Sequence, residues 1–175
     1  MSGLVKSTGV SSGLVGSVLG ITEADSWRIS ANYETGGNGS QPVTANWERD
    51  DVGQASKLVG TGMTESSGIF TFPSTGLWWI IACGYVGSGT TSAYAGWNIQ
   101  CTTNNSSYSY YAEHYCNTEN SGEHAGAVSM TYFNVPNVST HKCRVVSNST
   151  THGFIWHGNT AGNKSGVMFL KLGDI

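Results

Sequence analysis

Along most of the chain, apolar and polar residues alternate in short runs broken by clusters of Gly, Ser, Thr and Asn. A period near two with such breaks predicts strands and no helix. The runs fall at Trp27 to Tyr33, Trp47 to Arg49, Lys57 to Met63, Ala93 to Thr102, Ser107 to Cys116, His124 to Val135, His141 to Ser147, Gly153 to His157 and Val167 to Leu172. The clearest stretch is Ser67 to Val86, which reads strand, tight turn, strand. Pro73 presets φ at the turn and Gly76 accepts a positive φ. In the second of these strands Leu77, Trp79, Ile81, Cys83 and Tyr85 share one face, and Trp78, Ile80, Ala82, Gly84 and Val86 share the other. Both faces are apolar. An antiparallel sheet normally wets one of its faces, so a second copy of the chain is the expected cover for the other.

The first residues follow a different pattern. Met1 to Thr22 has no aromatic residue and repeats Ser-Gly or Thr-Gly followed by small apolar residues. It cannot bury enough surface to fold by itself. The apolar residues favour an arm that orders against a partner, with Leu4, Val5, Leu14, Val15 and Leu19 as the expected docking residues. The chain is accordingly read as an extended anchoring arm over 1–24 and one all-β domain over 25–175. The N-terminus lacks the charged start and continuous apolar core of a signal peptide, so folding in a cytoplasm is expected.

Composition removes several function classes. Charged residues make up 11% of the 175 residues, against about 25% in an average soluble protein. The formal net charge is −3, which leaves no electrostatic footprint for nucleic acid. No apolar run reaches the ~20 residues of a membrane helix. The 6 Trp, 8 Tyr and 5 Phe supply large buried areas to a chain that is only 38% hydrophobic. An all-β domain with a neutral polar surface remains.

Candidate chemistry is sparse. Cys83, Cys101, Cys116 and Cys143 lack the close pairing of a zinc site and are expected as free, mostly buried thiols. The histidines are His114, His124, His141, His152 and His157, and neither a Gly-x-Ser-x-Gly elbow nor a His-Glu-x-x-His pair accompanies them. No catalytic residue, metal ligand or cofactor site is assigned, and the chain is not expected to be an enzyme. Glu48, Asp50 and Asp51 form the only dense acidic group, the one place where a loop calcium would sit. Tyr108, Tyr110, Tyr111 and Trp156 lie among Asn, Ser and His, a combination that suits sugar rings. They are the candidate glycan contacts. Simple alternation puts Tyr108 and Tyr110 on one face, with Tyr111 and Tyr115 on the other.

The motif Gly68-Ile-Phe-Thr-Phe-Pro-Ser-Thr-Gly-Leu-Trp-Trp-Ile resembles the Gly-x-Phe-x-x-Pro-x-x-Gly-x-Tyr/Trp hairpin of the TNF-like jelly rolls, and Ser165-Gly-Val-Met-Phe-Leu-Lys-Leu-Gly-Asp resembles their last strand. Val135 to Lys142 replaces the Leu-x-x-Gly-Asp turn usual in that family, and no collagen-like stalk is present. With Ala24 to Arg28, Trp47 to Arg49, Gly62 to Phe72 and Phe169 to Asp174, the chain is similar to domains in virion proteins of marine tailed phages. The resemblance implies an antiparallel TNF-like jelly-roll sandwich of about ten strands, assembled as a homotrimer. Trp78, Ile80, Val86, Tyr132 and Phe133 are then the expected trimer-interface residues. It also implies a virion structural role, as a tail fibre or appendage or a capsid decoration. The arm would dock on other virion proteins, and the jelly roll would project outward to attach to a host-surface glycan or to stabilise the shell. The alternative is a soluble lectin-like or cytokine-like binding module.

Overall fold

A computed structural model of the chain describes residues 20–34, 38–51, 58–88, 92–118, 120, 122–150 and 154–175. The arm residues Leu4, Val5, Leu14, Val15 and Leu19 lie outside the described residues. The strands are β1 (Ala24–Ile29), β2 (Tyr33–Glu34), β3 (Gly39–Pro42), β4 (Trp47–Arg49), β5 (Thr64–Ser66), β6 (Ile69–Thr71), β7 (Gly76–Ser88), β8 (Ser92–Thr102), β9 (Ser109–Ala112), β10 (Tyr115–Thr118), β11 (His124–Val135), β12 (Lys142–Ser149), β13 (Phe154–Trp156) and β14 (Gly166–Gly173). No helix occurs among the described residues.

They form two antiparallel sheets of seven strands each. In the first sheet β7 is the spine. β11 pairs along nearly all of one side of β7, while β14 and β13 share its other side. β1 and then the edge strand β4 follow beyond β14. The second sheet is built on β8 and β12, with β9 and β10 on the far side of β8 and with β6 and β3 on β12. Short strands come from short apolar runs. The stretch Lys57 to Met63, expected as a strand, contributes only an isolated bridge at Val59 among its described residues. Ser67 and Gly68 instead turn β5 into β6. Both have positive φ, 52° and 80°, as a two-residue type I′ hairpin requires. Gly76, with φ 145°, opens β7 after the turn at Pro73.

Between the sheets lies an aromatic core. Trp78, Trp97, Trp156, Phe70, Phe72, Phe154 and Phe169 are fully buried there. Each buried indole finds an acceptor, as it must away from water. Trp156 Nε1 donates to Ser147 Oγ at 2.7 Å, Trp97 Nε1 to the Gly166 carbonyl at 3.1 Å and Trp78 Nε1 to the Ser74 carbonyl at 3.3 Å. Trp97 and Trp156 meet with ring centroids 4.6 Å apart, directly over Gly84 of β7.

This arrangement corrects the expected interface. Trp78, Ile80, Val86 and Phe133 are not available to another subunit, because they point inward and are covered by the second sheet of their own chain. Trp156 is likewise fully buried and cannot touch a glycan.

A β-carbon at Gly84 would fall 2.6 Å from Trp97 Cγ and against Trp156, where rigid rings cannot yield. Gly84→Ala should therefore cost about 1–3 kcal/mol by overpacking. Gly126, its close neighbour on β11, has only ordinary contact at the same position, so Gly126→Ala should stay within about 0.5 kcal/mol. Urea unfolding of the two variants beside the parent chain checks the pair; equal midpoints for all three would refute this packing.

Candidate functional site

The outer face of the first sheet is set by the register around β7. Leu77, Trp79, Ile81, Cys83 and Tyr85 point outward and remain half-buried. On β11 the outward residues are Val128, Met130 and Tyr132, which are 45%, 49% and 62% exposed. Opposite them, Ala127 and Ser129 face the core. Over Ala127 to Tyr132, β11 thus turns its large apolar side chains outward and its small ones inward, whereas Phe133 and Val135 farther along point into the core. Met168, Leu170 and Leu172 of β14 extend the outer face on the other side of β7, with Met168 and Leu172 exposed. Trp79 and Tyr132 lie side by side in register, their rings 6.2 Å apart. A depression of about 140 Å³ opens on this face beside Ser26, Ile81, Cys83, Lys164 and Met168. A contiguous exposed apolar surface of this kind marks an interaction site.

Of the five residues expected at an interface, only Tyr132 lies on this face. The sequence reading missed Trp79, Ile81, Val128, Met130 and Met168. The available signal was the size contrast across β11, because a strand does not ordinarily give its larger apolar residues to water.

One edge of the face is closed by charge. Arg28 lies on β1 with its side chain only 1% exposed. Its Nε donates to Glu48 at 3.2 Å, Nη1 to Asp50 at 2.5 Å and Nη2 to Asp51 at 2.6 Å. Asn163 Nδ2 donates to the other oxygen of Asp50. The cation in the Glu48, Asp50 and Asp51 cluster is therefore an arginine. Burial pulls the Arg28 pKa down, but hydrogen bonding and charge from these carboxylates outweigh it and hold the pKa above its ordinary value. On the inner side of the same edge, Arg49 grips Asp25 and lies 4.7 Å over the Trp27 ring.

No protein-family model matches the chain, and no curated protein matches it. Solved structures do. The chain is similar to the structure of Eiger TNF from S. frugiperda, with a TM-score of 0.64 and 13% identity over 89% of this chain and 96% of that one. It is also similar to murine APRIL, with a TM-score of 0.59 and 9% identity over 86% of this chain and 98% of that one. The fold is the TNF-like jelly roll. Such low identities speak to the fold alone.

In this TNF-like sandwich the second sheet carries a separate tyrosine cluster on its outer side. Ile99 pairs with Ala112, but Gln100 pairs with Tyr110, so Tyr111 is an extra residue at a bulge. The bulge shifts the alternation by one. Tyr115, which pairs with Gly96, consequently joins Tyr108 and Tyr110 on the outward face, not Tyr111. Tyr111 turns to the sandwich edge, where it meets Phe133 edge-on at 5.1 Å. Arg144 lies 4.0 Å over the Tyr108 ring and is held there by Gln100 Oε1, at 2.9 and 2.7 Å. Asn148 Nδ2 donates to Tyr110 Oη at 3.4 Å and to Tyr115 Oη at 3.2 Å. Much of the hydrogen-bonding capacity that a sugar would use is thus already engaged within the chain.

The four thiols are free, with Cys101 and Cys143 buried opposite one another on β8 and β12. Burial pushes both thiol pKa values up, which keeps them protonated and inert.

Tyr115 offers a pH readout of the cluster. Burial, reinforced by its 2.6 Å hydrogen bond to Glu113, pushes its pKa up to about 12. The folded state therefore favours the neutral phenol, and that preference is lost only as pH rises through the folded value. The difference in 295 nm absorbance between the parent chain and Tyr115→Phe should rise near pH 12; a midpoint near the ordinary tyrosine value of about 10 would contradict the arrangement.

Proposed function

We propose that the chain is a non-catalytic, self-associating TNF-like module whose outer first-sheet face packs against the same face of other copies. The central stretch of β11 carries this reading, since Val128, Met130 and Tyr132 face outward while Ala127 and Ser129 face the core. Large apolar groups in that position gain free energy only when something covers them, at about 25 cal/mol per Å² buried. The covered face would include the half-buried Leu77, Trp79 and Ile81 of β7 and Met168 of β14. The resemblance to TNF-like jelly rolls supports a threefold arrangement.

The finer part of the proposal is a virion structural role. The trimer would stand on a tailed-phage particle as a fibre, appendage or capsid decoration, with residues 1–24 as the docking arm. The apolar arm sequence and the likeness of the hairpin and last-strand motifs to phage virion domains support it. The virion would then be its location, and other virion proteins and a host-surface glycan its further partners.

Light scattering on the full-length chain should give three times its mass of 18.5 kDa. Met130→Glu and Met168→Glu alter side chains already 49% and 44% exposed, so each should keep the circular dichroism of the parent while running at the mass of one chain. A monomeric parent, or variants that keep the trimer mass, would refute the assembly face. The arm is tested by co-sedimentation with particles of the encoding phage. Full-length chain should sediment with them and chain lacking residues 1–19 should not; equal sedimentation would remove the docking role.

A further inference from the structure

At one end of β7 two histidines reach over the same glycine. His124 of β11 pairs directly with Gly87, and the His157 backbone N–H donates to the Tyr85 carbonyl at 2.9 Å from the opposite side of β7. The histidines therefore come from the two sides of the spine, His124 from β11 and His157 from the position just after β13. Neighbouring strands lie about 4.8 Å apart, so side chains from the two flanks meet only if the residue between them is small. Gly87 satisfies that condition. A β-carbon there would collide with His157 Nε2 and lie 3.0 Å from His124 Nδ1. One nitrogen from each ring thus lies against Gly87, where a side chain would otherwise stand. The rings are 5.4 Å apart by their centroids. Tyr85 fixes both, with its ring 5.3 Å from His124 and 4.8 Å from His157.

The hydrogen bonding is incomplete. His157 Nε2 is buried and has no hydrogen-bond partner among the described residues. A buried, unpaired ring nitrogen costs stability unless water or an ion completes it.

We propose that His124 Nδ1 and His157 Nε2 form a two-histidine site for a borderline divalent transition-metal ion, seated in the notch above Gly87. Imidazole pairs suit copper, nickel and zinc, with copper(II) bound most tightly. Binding requires nitrogen-to-metal distances near 2.0–2.1 Å from both rings. No group of three or more His, Cys, Asp or Glu that could hold a metal occurs among the described residues, so water fills the remaining positions. The site rests on no assumption about assembly or the virion.

The test titrates the full-length chain with copper(II), nickel(II) and zinc(II) chloride near neutral pH, by calorimetry and by the copper(II) paramagnetic resonance spectrum. One ion per chain is expected, with copper tightest and a spectrum showing coupling to two imidazole nitrogens. His124→Gln and His157→Gln should each weaken copper binding by about tenfold or more, with unchanged circular dichroism and unchanged mass in solution. Gly87→Ala fills the notch and should abolish binding while both histidines remain. The proposal is overturned if the parent chain takes up no ion at about 1 mM metal. It is equally overturned if both Gln variants bind copper as the parent does, which would place the ion on other histidines. If a Gln variant fails to fold, Gly87→Ala and the spectrum of the parent still decide.

Discussion

The structure depends on a single strand that is apolar on both faces. β7 runs through thirteen residues and pairs with β11, β13 and β14. Its inner face is covered within the chain by the aromatic core. Among the described residues its outer face meets no other layer, and its neighbours on β11 and β14 add large apolar groups to it. A sheet of this kind is stable in the fold but not in water. An interface of ordinary size covers about 800 Å² per partner, and association also opposes part of that gain through lost translational freedom. In the proposed assembly, the contiguous apolar character of the outer face is what would offset that cost.

The way charge is placed supports that reading. The chain has only eight Lys and Arg, and several are committed to internal pairs. Arg28 is enclosed by three carboxylates, Arg49 grips Asp25, Arg144 is tied to Gln100, and Lys171 pairs with Asp174 at 2.6 Å. The Arg28 group sits at the β1 and β4 edge, where a charged border discourages strands of other chains from adding to the sheet. Removing one partner from such a buried group would leave an uncompensated charge, which is why it acts as a fixed part of the edge and not as an exchangeable ion site.

Much of this was legible in the chain. The period of two in His124 to Val135 and the Pro73 to Gly76 turn placed the long strands correctly, and the two apolar faces of Leu77 to Val86 announced an uncovered surface. What the pattern did not reveal was which face turns inward. Both faces of β7 carry a tryptophan and isoleucines or leucines, so hydrophobicity does not separate them. Size does: Ala82 and Gly84 lie on the inner face because Trp97 and Trp156 cross there and occupy the space. Those two rings belong to β8 and β13, which are distant in sequence, so the reason for small residues at 82 and 84 exists only in the folded chain.

The tyrosine cluster shows a second limit of periodic reading. One extra residue at Tyr111 reverses every assignment after it, and nothing in Ser107 to Cys116 marks the bulge by composition. The structure explains why the bulge is tolerated. Asn98 Oδ1 accepts the His114 N–H at 2.9 Å, giving the displaced backbone a partner that the ladder no longer supplies. Gly96 leaves room for the Tyr115 ring to lie across β8. The same device recurs on the first sheet, where Gly87 lets two histidines approach across β7. In both places an absent side chain decides which rings can meet, and the residues that gain from it come from neighbouring strands. Function in this fold is therefore to be sought in such cross-strand neighbourhoods, because adjacent residues of one strand point to opposite sides of the sheet.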